Sequence, residues 1–209
     1  MRVDWYFDFI SPFAYLQFGR LAALPGHVDV HFEPVLLAGI LGHWGQLGPA
    51  EIGSKRRFSY RHVTWLAEQA GLPFRMPSGH PFNSLPLLRL AWRLGPSQEL
   101  IARLFRFVWA DGHIPQERDA WRALLAELGA PDEPETAEVK ERLRRSTEAA
   151  VARGVFGVPT SIVGGQLFWG NDATDFLIAY CRNPEILASP AMRHADALPV
   201  AATRAGKPP

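Results

Sequence analysis

Apolar and polar positions divide the chain into three stretches of different period. Residues 2–9, Arg-Val-Asp-Trp-Tyr-Phe-Asp-Phe, form an aromatic-rich, partly alternating run, which predicts a strand. Ser11-Pro12 breaks the run. Serine at a helix cap followed by proline at the first helical position is a strong helix start. That helix extends through Tyr15, Leu16, Phe18 and Leu21 to about Leu24, where Pro25-Gly26 closes it. Val28 to Val35 alternates with His31 and Glu33 and reads as a second strand. Strand, helix and strand of this size make a βαβ unit with a parallel pair and a right-handed crossover.

The middle, roughly 50–153, is helical in period. Lys55 to Ala70 carries Phe58, Val63, Leu66, Ala67 and Ala70 near helical spacing, and Gly71-Leu72-Pro73 ends it. Leu85–Leu94, Gln98–Ala110, Arg118–Leu128 and Thr136–Arg153 are further helices. The strand signal returns at Thr160–Val163. Gly164-Gly165 is a hairpin turn and Gln166–Trp169 its second strand. A last helix opens at Gly170-Asn171-Asp172 and runs to about Arg182. The order βαβ, helices, ββα implies an α/β fold: a four-stranded sheet interrupted by an all-helical insertion, with a cleft between the two parts. The divisions are 1–45, 46–153 (the insertion), 154–188, and a loosely ordered tail over 189–209.

Composition narrows the function. Of 209 residues, 22 are basic and 21 acidic, a net charge of +1, which gives no bulk attraction to nucleic acid or an anionic membrane. No apolar run approaches the length of a membrane span, and the N-terminus does not read as a secretion signal, so the cytoplasm is the expected compartment. The single cysteine, Cys181, cannot form an internal disulfide and reads as a buried small hydrophobe late in the last helix. Seven Trp and 13 Phe supply a large core or the walls of a pocket for a flat ligand.

Three short segments carry candidate chemistry. Ser11 sits where a strand meets a helix, facing the unpaired N–H groups and positive dipole end that stabilise an anion. An ordinary helix cap is the competing role. Phe156-Gly157-Val158-Pro159-Thr160 places proline between a helix and a strand, a setting for a cis peptide that would leave the backbone of Val158 open to an extended ligand. An ordinary trans turn is the alternative. In Phe168-Trp169-Gly170-Asn171-Asp172, glycine permits close approach, and two polar residues exceed what one cap needs.

Together the order of these segments resembles the DsbA-like branch of the thioredoxin fold. More closely, Phe7-Asp8-Phe9-Ile10-Ser11-Pro12-Phe13-Ala14-Tyr15-Leu16 resembles the 2-hydroxychromene-2-carboxylate isomerase and kappa-class glutathione transferase family, a likeness covering about residues 1–185. Serine where a redox protein has Cys-x-x-Cys excludes disulfide chemistry at that place. The resemblance implies glutathione as cofactor, no metal and a homodimer. It implies that Ser11 bonds the sulfur and that Val158, before Pro159, pairs with the cysteinyl backbone. Asn171 and Asp172 would hold the γ-glutamyl end, and Lys55 the glycine carboxylate. Gln46 stands where the kappa-class pattern has asparagine. The resemblance further implies interconversion of 2-hydroxychromene-2-carboxylate and trans-o-hydroxybenzylidenepyruvate, by reversible thiolate addition to an aromatic enone acid. Phe13, Trp44, Phe82, Trp109 and Trp169 are candidate walls for the ring, and Asn83 is either a polar contact or a cap. The alternatives are a kappa-like transferase and a glutathione-binding module without turnover.

Overall fold

The computed structural model describes residues 1–130 and 135–202. Strand β1 (Arg2–Phe7) is buried at five of its six positions, which explains why its alternation is weak: helices cover both faces. It lies at the centre of a sheet of order β2-β1-β3-β4, with β2 at Asp29–Pro34, β3 at Thr160–Val163 and β4 at Gln166–Trp169. β1 runs parallel to β2, Val3 facing Val30, and antiparallel to β3, Val3 facing Val163. β3 and β4 form the expected antiparallel hairpin.

Helix α1 (Pro12–Arg20) follows β1 as the Ser-Pro start predicts. Helices α3 (Gly53–Gln69), α4 (Leu85–Leu94), α5 (Gln98–Trp109), α6 (Arg118–Glu127) and α7 (Ala137–Ala152) make the insertion. α4 and α5 are strongly amphipathic and supply Leu87, Leu88, Leu104 and Phe105 to a core they share with Trp5, Phe7 and Phe9. Trp5 stacks on Phe7 at 4.5 Å, and Phe105 packs on both Phe7 and Phe9.

Two helices lack counterparts in the sequence pattern. Helix α2 (Leu37–Trp44) has no capping side chain beside it. The N–H groups at its start are instead taken by distant residues, Leu36 by Thr147 Oγ1 at 3.0 Å and Leu37 by Asp8 Oδ2 at 2.9 Å. Helix α9 (Pro190–Asp196) lies in the stretch expected to be a loose tail; Ser189 caps it through Met192 N–H, and Pro190 stands at its first position. Helix α8 (Thr174–Arg182) begins four residues later than expected, because Gly170-Asn171-Asp172 form a turn ahead of it. Cys181 is buried on α8, and burial pushes its thiol pKa up. Among the described residues no helix is long and apolar enough to cross a membrane.

Candidate active site

The loop from β1 to α1 is held at nearly every peptide group. Ser11 N–H donates to the Asp8 carbonyl at 3.0 Å. The Phe9 carbonyl accepts the Trp109 indole N–H at 2.9 Å, and the Ile10 carbonyl accepts His80 Nε2 at 2.8 Å. Ile10 N–H donates to Asp8 Oδ1 at 3.1 Å. Trp109 and His80 both come from the insertion, so the helical block braces the loop that presents Ser11.

Ser11 itself is 7% exposed. Its oxygen caps α1 by accepting Ala14 N–H at 3.3 Å. Among the described residues its hydroxyl proton has no acceptor. Capping and donation are therefore compatible, since a hydroxyl accepts and donates at once.

Asp8 is almost fully buried and, among the described residues, has no cation beside it. Burial pushes its carboxyl up to about 6, partly offset by bonds from Leu37, Ile10 and Ser84. The His80 imidazole is held down by burial. Its Nε2 meets the Ile10 carbonyl, while the Tyr60 hydroxyl donates to the His80 carbonyl at 2.7 Å and lies 2.8 Å from Nδ1.

The Val158–Pro159 peptide is cis, as the sequence placement suggested, and His80–Pro81 is a second cis bond it did not indicate. Among the described residues the Val158 backbone forms no hydrogen bond, whereas the Pro159 carbonyl accepts Gly170 N–H at 2.9 Å. That bond draws the Gly170-Asn171-Asp172 turn beside the cis peptide. Gly170 has φ +90°, and a Cβ there would lie 2.4 Å from Asp172 Oδ1, so only glycine lets that carboxylate fold back over the turn. Asp172 is exposed and, among the described residues, unpaired. Asn171 Oδ1 is buried and, among the described residues, has no partner.

Gln46 and Lys55 are exposed on the segment between α2 and the first turn of α3, and the side chain of neither has a partner among the described residues. Of the candidate walls, Trp109 is wholly buried and spent on the Phe9 carbonyl, so it cannot line a pocket. Trp169 is 52% exposed, packs at a tilt against Phe156 with ring centroids 5.1 Å apart and lies so close over Gly157 that a Cβ there would meet its ring nitrogen at 2.8 Å. Phe13 faces His62, and Phe82 faces His80. Trp44 donates to the Val155 carbonyl at 2.9 Å. Asn83 lies just ahead of the Ser84 cap of α4 and accepts Leu85 N–H at 3.1 Å. A separate cavity of about 760 Å³ between α2, α4 and α7 includes none of the predicted site residues. Two of its lining residues, Leu36 and Leu85, are next in sequence to Leu37 and Ser84, which bond Asp8.

The family of DSBA-like thioredoxin domains matches residues 2–181. The 2-hydroxychromene-2-carboxylate isomerase of Pseudomonas putida is 31% identical over 186 residues, covering 82% of this chain and 90% of that protein. The chain belongs to the DsbA-like thioredoxin family, among the relatives of these isomerases. A kappa 2 glutathione S-transferase of Caenorhabditis elegans is 27% identical over 176 residues, 75% of this chain and 78% of that protein. The solved structure of a 2-hydroxychromene-2-carboxylate isomerase overlays with a TM-score of 0.75 at 26% identity, covering 90% of this chain and 100% of that one. The DsbA-like match takes in the Ser11 loop, Val158–Pro159 and the Gly170–Asp172 turn, and ends within α8.

Proposed function

We propose that this protein is a glutathione-dependent isomerase acting on a small aromatic enone acid. The observation that carries the reading is the Ser11 hydroxyl: buried, capping α1 through its oxygen, and with its proton unspent. The names of the isomerase and kappa-class relatives support the same reading.

The residues present suit glutathione. The unpaired Val158 backbone can bond an extended peptide as an added strand would. The orphaned Asn171 Oδ1 and the free Asp172 carboxylate suit an ammonium group. Lys55 suits a carboxylate. When bound, glutathione would supply a thiolate nucleophile suited to reversible addition to the enone.

Ser11 donates to the sulfur, and a charge-assisted bond favours the anion. The N-terminus of α1 acts in the same direction. Trp169, exposed beside the cis peptide, suits the substrate ring. A kappa-like transferase would share the glutathione site, and profiling of electrophiles against the enone acid separates the two. Calorimetry with glutathione, combined with absorbance titration of the bound thiolate, tests the core of the proposal. Binding with a thiol pKa well below the unperturbed value of ~8.5 is expected. Binding without that depression would mean a module that holds glutathione and does not activate it.

A further inference from the structure

Gln17 lies on α1, six residues after Ser11, and is wholly buried. Its Oε1 accepts the Trp5 indole N–H at 2.7 Å. Its Nε2 donates to the Gly170 carbonyl at 2.8 Å and to Thr174 Oγ1 at 3.1 Å. An indole only donates and a carbonyl only accepts, so the amide has one possible orientation. Thr174 Oγ1 in turn donates to the Asn171 carbonyl at 2.6 Å. Arg20, one turn along α1, donates to that same carbonyl at 2.9 Å and pairs with Asp175. The turn before α8 is thus tied to the helix that Ser11 caps, through contacts 151 to 157 residues apart in sequence.

We infer that Gln17 is a positioning residue, which sets the distance between the Ser11 hydroxyl and the Asn171–Asp172 turn and so makes the protein select a γ-glutamyl thiol over a shorter one. This rests on the glutathione reading above. The residue type is dictated by the partners. Glutamate could accept from Trp5 but would turn a carboxylate oxygen on the Gly170 carbonyl. Leucine would leave the buried Trp5 indole N–H and the half-buried Gly170 carbonyl without this partner. Asparagine is one carbon too short to span both. A fully satisfied buried amide of this kind rigidifies what it joins. Gln17 touches no reacting atom; it acts through the backbone of Gly170 and the hydroxyl of Thr174.

The test compares two ligands, glutathione and cysteinylglycine, which lacks the γ-glutamyl group. Calorimetry on wild type, Gln17→Leu and Thr174→Val gives the ratio of their affinities for each protein. Wild type should prefer glutathione. In Gln17→Leu the preference should fall by roughly tenfold, the scale of one well-made polar contact. Cysteinylglycine binding should change little, since Ser11 and Val158 remain. Thr174→Val removes only the hydroxyl bridge and should lower the same ratio by a smaller factor. It also decides the matter if Gln17→Leu does not fold. A merely structural role weakens both ligands equally and leaves the ratio unchanged, which would overturn the inference while wild-type glutathione binding stands. Failure of wild type to bind glutathione at all would instead overturn the reading beneath it, and the inference with it.

Discussion

The two sides of the proposed glutathione site are built in opposite ways. On one side, the Asp8–Ser11 loop is fixed not only by its own short-range bonds but by Leu37 of α2, His80, Ser84 at the start of α4 and Trp109 of α5, each far away in sequence. On the other, the Gln46–Lys55 segment bonds mainly to itself. Gln46 N–H reaches the Leu41 carbonyl at 2.9 Å, Gly48 and Glu51 bond each other, and the side chains of Gln46 and Lys55 are free in solvent. A ligand met by the first side finds its partners in place. A ligand met by the second must order long side chains, each costing up to about 1.5–2 kcal/mol of rotamer freedom. Under the proposed reading, activation of the sulfur belongs to the braced side, and the exposed side adds a modest, adjustable increment of affinity.

The largest effect should come from Asp8, the buried acid within the braced side. Its folded pKa of about 6 stands above the ordinary 3.8. The folded protein holds that proton where the unfolded chain has released it. Its favourable contribution is therefore present below pH ~4 and lost as pH rises to ~6, a change of about 3 kcal/mol. Urea midpoints measured from pH 4 to 7 should show this fall, and Asp8→Asn should flatten it. An unchanged slope in Asp8→Asn would mean that the loop is not held by a buried carboxylate.

Asp172 comes next. Among the described residues its carboxylate has no partner, so Asp172→Ala should leave thermal stability nearly intact. Glutathione affinity should fall by about 1.5–3 kcal/mol, as for a charged hydrogen bond. Lower stability with unchanged affinity would make it a structural residue and break the assignment of the turn to the γ-glutamyl end.

Ser11 follows, because its two bonds are separable. Ser11→Ala removes the acceptor for Ala14 N–H and should cost about 1 kcal/mol of stability. It also removes the proposed donor to the sulfur. The bound thiol pKa should rise by about one unit or more, and the rate at neutral pH should fall roughly tenfold, since a unit corresponds to about 1.36 kcal/mol. The deficit should shrink above the free thiol's pKa. Loss of stability alone would leave Ser11 a cap.

How much of this was legible in the sequence follows the range of the contacts. Ser11-Pro12 announces α1 because both signals act within one turn. The same is true of the Gly164-Gly165 hairpin. Helix α2 was invisible because the acceptor at its start, Asp8, lies 29 residues upstream. Gln17 looks like any polar residue of a helix, and only the fold shows its amide buried against a turn 153 residues away. Trp109 was legible as important and misread in kind: its indole braces the Phe9 carbonyl and faces no ligand. The one local hint left unused was Asp8, a charge between two phenylalanines at the end of a buried strand.

The smallest effects should come from the exposed side, and they test the contrast most sharply. Gln46→Ala should weaken glutathione binding by about 0.5–1.5 kcal/mol if one neutral hydrogen bond is lost. Lys55→Gln should cost about 0–1 kcal/mol, as exposed ion pairs do. The two differ in how they respond to salt. At about 1 M salt, where the Debye length is roughly 3 Å, the Lys55 effect should fade, while that of Gln46 should persist. Lys55 begins the run Lys55-Arg56-Arg57, so charge alone could attract an anionic ligand without contact. Arg57→Gln is the control, removing the same charge two residues along the helix, on a different face. A larger loss for Lys55→Gln than for Arg57→Gln would mark a specific contact with the glycine carboxylate. Equal losses that vanish together in salt would reduce the exposed side to a diffuse positive field, leaving recognition to the braced loop, the Val158 backbone and the turn tied to Gln17.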